Sequence, residues 1–165
     1  IWTNSDEELK KIEDMVKNTN NQEKIKIELK KDNLLSLYDL NSQIEKMENR
    51  KIWLKCGGFI TIDKTEALTA IDVNSGKYIG CKDLEQTVFV VNKEASIEIA
   101  KQIRLRDIGG IIIIDYIDME KQETKNKIAE VLKENLKKDR SKTQIIGFTP
   151  LDLLEMTRKH MWSND

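Results

Sequence analysis

Four consecutive isoleucines, Ile111–Ile114, follow Gly109–Gly110 and run straight into Asp115. A run that is apolar at odd and even positions alike has no wet side, so it predicts a central strand covered on both faces, as parallel strands are. An earlier run, Leu68–Val73, likewise carries a carboxylate, Asp72, close to its end. An aspartate at the end of a buried strand loses hydration and needs a partner, so it marks either a capped helix entry or a cation site.

The 165 residues are enough for one ordinary domain with a real core, or for a domain plus part of another. Charged residues make up 35% of the chain, but Lys plus Arg (28) and Asp plus Glu (29) nearly cancel. The net field therefore does not attract polyanions from a distance, and any nucleic-acid contact must be local. Cys56 and Cys81 have no neighbouring cysteine, which excludes zinc-knuckle spacing and a disulfide framework and suits a reducing, cytoplasmic compartment. No apolar run is long enough for a transmembrane segment. The chain opens at Ile1 without a methionine, which reads as a piece of something longer.

Along the chain, Leu9, Ile12, Met15 and Val16 behind an acidic turn predict a helix over 5–17 capped by Asn4 or Ser5. Strict alternation predicts a strand over Lys24–Leu29, and helical spacing returns over 34–49. From Ile52 the character changes. Phe59–Ile62 and Leu68–Val73 read as a hairpin, Asn92 as the cap of a helix reaching Arg106, and 119–138 as a second helix. Thr143–Phe148 reads as a strand, and Pro150 as the first turn of a last helix over 151–159. The order β-β-α-β-α-β-α predicts a layered α/β fold, a mixed β-sheet flanked by helices, preceded by a small α/β remnant.

Strand parity puts Asp72 and Asn74 on one face, with Leu68 and Ala70, while Thr69, Ile71 and Val73 point the other way. A carboxylate and an amide oxygen are hard donors suited to a Mg²⁺ ion that keeps several waters, and Asp115 is placed to supply a second carboxylate. The plainer readings stand beside this: Asp115 as a buried acid paired to a lysine, Asp72 as closing a turn with Asn74 and Ser75, and Asp118 as the cap of the following helix. No serine or cysteine has a histidine to serve it, since His160 is the only one, and it reads as an exposed helix-end residue.

Several motifs occur together in one order: Gly57-Gly58-Phe59, Thr65-Glu66-Ala67-Leu68, Ile71-Asp72-Val73-Asn74-Ser75-Gly76, Asn92, Glu98-Ile99-Ala100, Gln102 through Gly110, Ile114-Asp115-Tyr116-Ile117-Asp118-Met119 and Glu155-Met156-Thr157-Arg158-Lys159. In these the chain resembles the catalytic core of the ribonuclease E/G family, densely from Leu54 to His160. The resemblance implies a DNase I-like catalytic subdomain over 51–165, with the C-terminal part of an RNase H-like subdomain over 1–50. It implies that Asp72 and Asp115 hold a catalytic Mg²⁺, with Mn²⁺ as a substitute, and that Asn74 orients an acid or the scissile phosphate. The implied reaction is endonucleolytic hydrolysis of single-stranded A/U-rich RNA to 5′-phosphate and 3′-hydroxyl products, in RNA processing and decay. A homo-oligomeric full-length parent is also implied.

Family members add an OB-fold clamp, a 5′-monophosphate sensor and a zinc-binding cysteine motif, which this chain is expected to lack. That leaves an alternative open, in which the chain is an incompetent fragment serving as an RNA-binding or scaffold module. A phosphate-transfer regulator would want a strand-end lysine and continuous βα alternation, whereas the α/β part opens on a hairpin. Among the basic residues Arg104, Arg106, Arg140, Lys142, Arg158 and Lys159, the preferred phosphate contacts are Arg106 and Lys142, which flank loops at strand ends. Tyr78 and Tyr116 are candidates to stack on a base, with core packing the plainer role for Tyr116.

Overall fold

In the computed structural model, which describes residues 1–20, 22–77 and 84–161, the chain divides into two units, Ile1–Glu48 and Asn49–Asp165. The smaller begins with β1 (Trp2–Thr3) and α1 (Asp6–Lys17). The Ser5 side chain accepts from the Glu8 amide, and Asp6, Glu7 and Glu8 sit in the first turn, where the helix dipole favours anions. A 3₁₀ turn (Gln22–Lys24) then leads to β2 (Glu28–Leu29). The strand expected over Lys24–Leu29 is thus confined to the two residues that pair in parallel with Trp2 and Thr3. The single helix expected over 34–49 is two, α2 (Leu34–Leu37) and α3 (Leu40–Glu48). They are separated at Asp39, whose φ of 51° is a conformation that aspartate tolerates better than most residues. Leu35, Leu37, Leu40 and Ile44 stay exposed, so no packing enforces a continuous helix.

The larger unit runs β3 (Lys51–Trp53), β4 (Phe59–Lys64), β5 (Leu68–Asn74), α4 (Leu84–Leu105), β6 (Gly110–Asp115), α5 (Gln122–Leu136), β7 (Thr143–Phe148) and β8 (Leu153–Arg158). Its sheet has the order β3-β4-β5-β6-β8-β7 and is antiparallel except between β5 and β6, which the α4 crossover makes parallel. This is a mixed α/β layered fold.

One face of the sheet presents Ile60, Ile62, Ile71, Val73, Ile112, Ile114, Leu154 and Met156 to the two helices, which answer with Val91, Ala95, Ile99 and Ile103 from α4 and Ile128, Leu132 and Leu136 from α5. Each fully buried large aliphatic side chain contributes about 1.5–3 kcal/mol, so this single cluster dominates the stability of the unit.

Several expectations are corrected here. β6 is covered on one face, because both helices pack on the same side; Ile111 is 50% exposed on the other. The helix expected over 151–159 is the strand β8, which pairs with β6 and β7 and buries Leu154, Met156 and Arg158 at a period of two. An unpaired edge on β6 would leave backbone groups unsatisfied, and that demand outweighs the helical reading of the same leucines. Asn92 caps nothing: α4 begins at Leu84 and Asn92 lies inside it, fully buried. The second helix starts at Gln122, with Lys121 rather than Asp118 at its N-cap.

Arg158, expected among the phosphate contacts, is instead a structural cation with no exposed side-chain surface. It donates to Asp139 and Asp107, each at 2.7 Å, and to the Ile108 carbonyl at 3.0 Å. The guanidinium holds the Asp107 carboxyl below its ordinary value. Burial alone would raise Asp139, but the same guanidinium brings it net below as well. Carboxyls with depressed pKa stabilise the fold above their ordinary value of about 4, and that contribution disappears as pH falls through the folded values. Replacing Arg158 by Met strands Asp139 in the interior and is expected to cost about 3–5 kcal/mol at pH 7. The deficit relative to wild type should shrink on acidification below about pH 4. Urea unfolding at the two pH values measures both.

Candidate functional site

The parallel register of β5 and β6 sets Ile71 beside Ile114 and Asp72 beside Asp115. Ile71 and Ile114 are buried under the helices, so alternation turns both aspartates to the open face. Adjacent strands lie about 4.8 Å apart, which places the two carboxylates side by side at the carboxyl ends of this parallel pair. Asn74, two residues on and on the same face, donates from Nδ2 to Asp72 Oδ2 at 2.6 Å. Local burial, then the charges of Asp72 and Asp118, push the Asp115 carboxyl above its ordinary value. Neither Asp72 nor Asp115 is salt-bridged to a lysine or arginine among the described residues, so the lysine pairing considered for Asp115 does not occur.

The chain leaves β6 under tight control. The Asn92 side chain donates to the Ile117 carbonyl at 2.8 Å and accepts from the Ile117 amide at 3.1 Å, taking the place of a neighbouring strand just after Asp115. Ser96, one turn along α4, lies 2.8 Å from the Tyr116 hydroxyl. Burial raises the Tyr116 phenol well above its ordinary range, and this buried ring packs in the core rather than offering a stacking surface. Under β5, Gly58 approaches so closely that a Cβ there would stand 2.8 Å from the Asn74 carbonyl oxygen and 2.9 Å from Val91. The turn before it is tied down by Glu94, whose carboxylate accepts from the Lys55 and Cys56 amides at 2.5 and 2.9 Å.

Of the residues singled out from the sequence, Asp72, Asn74 and Asp115 are brought together. Arg106 and Lys142 are not. Arg106 donates to Gln102 and to the Asn49 carbonyl beyond the end of α4, and Lys142 precedes β7, level with Gly110. Both do flank strand ends, but those at the opposite edge, about 17 Å from the acids by the rise of β6. Arg104 donates to the Lys138 carbonyl, and His160 follows a strand rather than ending a helix. Tyr78 and Cys81 lie outside the described residues.

Asp118 is the residue whose place was misjudged, because it caps no helix and adds its charge to Asp115. Nothing in the local sequence marks Arg50. It forms a two-pronged ion pair with Asp63, one bond at 2.6 Å, and lies within electrostatic reach of Asp72.

Two adjacent carboxylates with an amide fixing one of them, neither salt-bridged among the described residues, form a hard-oxygen donor set of the kind that suits a Mg²⁺ ion that keeps most of its waters. Among the described residues, no three His, Cys, Asp or Glu side chains converge as a closed metal cage.

The chain matches the model of the ribonuclease E/G family over residues 1–161. It is 48% identical over 126 residues to ribonuclease G of Salmonella typhimurium (strain SL1344) and 45% identical over 126 residues to ribonuclease G of Escherichia coli (strain K12). Each match covers 76% of this chain and 26% of the relative. Ribonuclease E of Escherichia coli (strain K12) is 45% identical over 128 residues, covering 78% of this chain and 12% of the relative. The chain therefore spans about a quarter or less of the length of these relatives. No helix among the described residues is long and apolar enough to cross a membrane.

A raised carboxyl pKa means that the folded chain holds this proton more tightly than the unfolded chain, so the contribution of Asp115 to stability falls as pH rises from about 4 through the folded value. At pH 7 in chelator, Asp115→Asn removes that penalty and is expected to melt at the wild-type temperature or slightly above it. Added Mg²⁺ should raise the melting temperature of the wild type and leave the variant unmoved. Differential scanning calorimetry with and without the ion makes the comparison.

Proposed function

The chain belongs to the ribonuclease E/G family, and from that premise we propose that Asp72, Asp115 and Asn74 form the cleavage site of a Mg²⁺-dependent endoribonuclease acting on single-stranded, A/U-rich RNA in cytoplasmic RNA processing and decay. Residues 51–165 then correspond to a DNase I-like subdomain and residues 1–50 to the end of an RNase H-like one. The observation that supports this reading most is the parallel register of Asp72 with Asp115, which gathers two acids distant in sequence into one pair on the open face.

Asp72 and Asp115 would hold the ion, which when bound lowers the pKa of water and offsets charge on the scissile phosphate. Asn74 fixes the orientation of Asp72 through its 2.6 Å bond, and Asn92 fixes the chain beyond Asp115. The open sheet face leaves room for an extended strand, whereas a deep pocket would exclude a polymer. In the reaction water adds to phosphorus and the bond from phosphorus to the 3′ oxygen breaks, leaving a 3′-hydroxyl and a 5′-phosphate.

Cleavage of an unstructured A/U-rich oligonucleotide tests the proposal. Asp72→Asn and Asp115→Asn should each abolish Mg²⁺-dependent turnover with the fold intact, and Asn74→Ala should slow it by about 10–100-fold, as loss of a group orienting a metal ligand does. Undiminished rates in both aspartate variants would refute it.

A further inference from the structure

The open face extends from the acids to the edge strand β3, and the pairing registers align it in two rows. One row reads Lys51, Thr61, Asp72 and Asp115; the next reads Trp53, Phe59 and Asn74. Trp53 and Phe59 meet edge-on with ring centroids 5.3 Å apart. The Lys51 ammonium lies 3.5 Å from the Phe59 centroid and 4.2 Å from that of Trp53. Despite these contacts Trp53 is 57% exposed. A large apolar ring on an unpaired edge strand invites adventitious pairing, and chains normally blunt such edges with charge. Here the charge is present and sits on the rings.

We propose that Trp53, Phe59 and Lys51 form a subsite for an unpaired RNA nucleotide neighbouring the one that is cut, with its base stacked on the indole and an adjacent phosphate on Lys51. This rests on the cleavage reading for its direction along the strand, but its chemistry is independent of it. Trp53 lies two strands from β5, about 10 Å from Asn74, within reach of a nucleotide next to a phosphate held at the acid pair. An aromatic face accepts any base, and a cation beside it serves the backbone, the combination that single-strand binders use. Lys51, against the rings, stands in the same row as Asp72, and Arg50, paired to Asp63 one register step beyond that row, lies within electrostatic reach of Asp72. A purely structural Trp would be buried, whereas this one is exposed, with Phe59 and Lys51 against its ring.

The test uses the chain with Trp2→Phe and Trp162→Phe, leaving Trp53 as the reporter, in chelator so that binding is read without cleavage. Titration with an A/U-rich single-stranded RNA should quench Trp53 fluorescence, whereas an abasic strand of equal length and charge should bind without quenching. In the otherwise wild-type chain, Trp53→Leu should weaken binding of the base-bearing strand by roughly 5- to 150-fold and leave the abasic strand unaffected, while Trp53→Tyr restores most of the affinity. Equal affinity of wild type and Trp53→Leu for RNA overturns the subsite, as does absence of any RNA response. If Mg²⁺ then supports cleavage while Trp53→Leu binds normally, the subsite fails and the cleavage reading stands. If Trp53 governs binding but Mg²⁺ yields no cleavage, the subsite stands and the cleavage reading fails.

Discussion

The register between β5 and β6 is the constraint on which the site depends. Burial of Ile71 and Ile114 on the helix side fixes it, because a slip of either strand by one residue would turn its isoleucine into solvent and its aspartate into the core. The free energy that aligns the acids therefore comes from the apolar face of the same two strands. Partial burial, and after it the like charges of Asp72 and Asp118, make ionisation of Asp115 costly, and its raised pKa records that cost. The fold tolerates it because the register is set by a much larger hydrophobic term.

The remainder of the larger unit holds this pair still while leaving it open. α4 and α5 cover a single face, so the acids meet solvent, and the polar residues inside α4 reach through to the exit of β6. Asn92 replaces a missing strand neighbour for the Ile117 backbone, and Ser96 meets the Tyr116 hydroxyl, which buries polar groups only where each has a partner. Arg158 serves a similar role at the far edge, tying β8 to the loops that precede β6 and follow α5.

Much of this is legible in the residues themselves. The parity of β5 follows from alternation alone, and the helix after Ser5 from its cap and its apolar spacing. What the residues conceal is what depends on distant partners. Leu151, Leu154 and Glu155 fit a helix as well as a strand, and only the bare edge of β6 decides between them. Asn92 looks like a cap because a polar residue interrupts an apolar helix, whereas its partner is a backbone 25 residues away. Ile111–Ile114 gives no sign of which face is open, because both are apolar. The acids are identifiable as strand-end carboxylates, but that Arg106 and Lys142 flank strand ends far from them is not, because strand direction is not written in local sequence. Lys51 and Trp53 carry no local signal, because their meaning lies in the strand they pair with.

The central claim is that Asp72 and Asp115 act as one cation site. Electron paramagnetic resonance of Mn²⁺ titrated into the chain, into Asp72→Asn and into Asp115→Asn reads this most directly. One ion bound by the wild type, and lost from both variants, is the predicted result. Wild-type occupancy retained in either variant would contradict it.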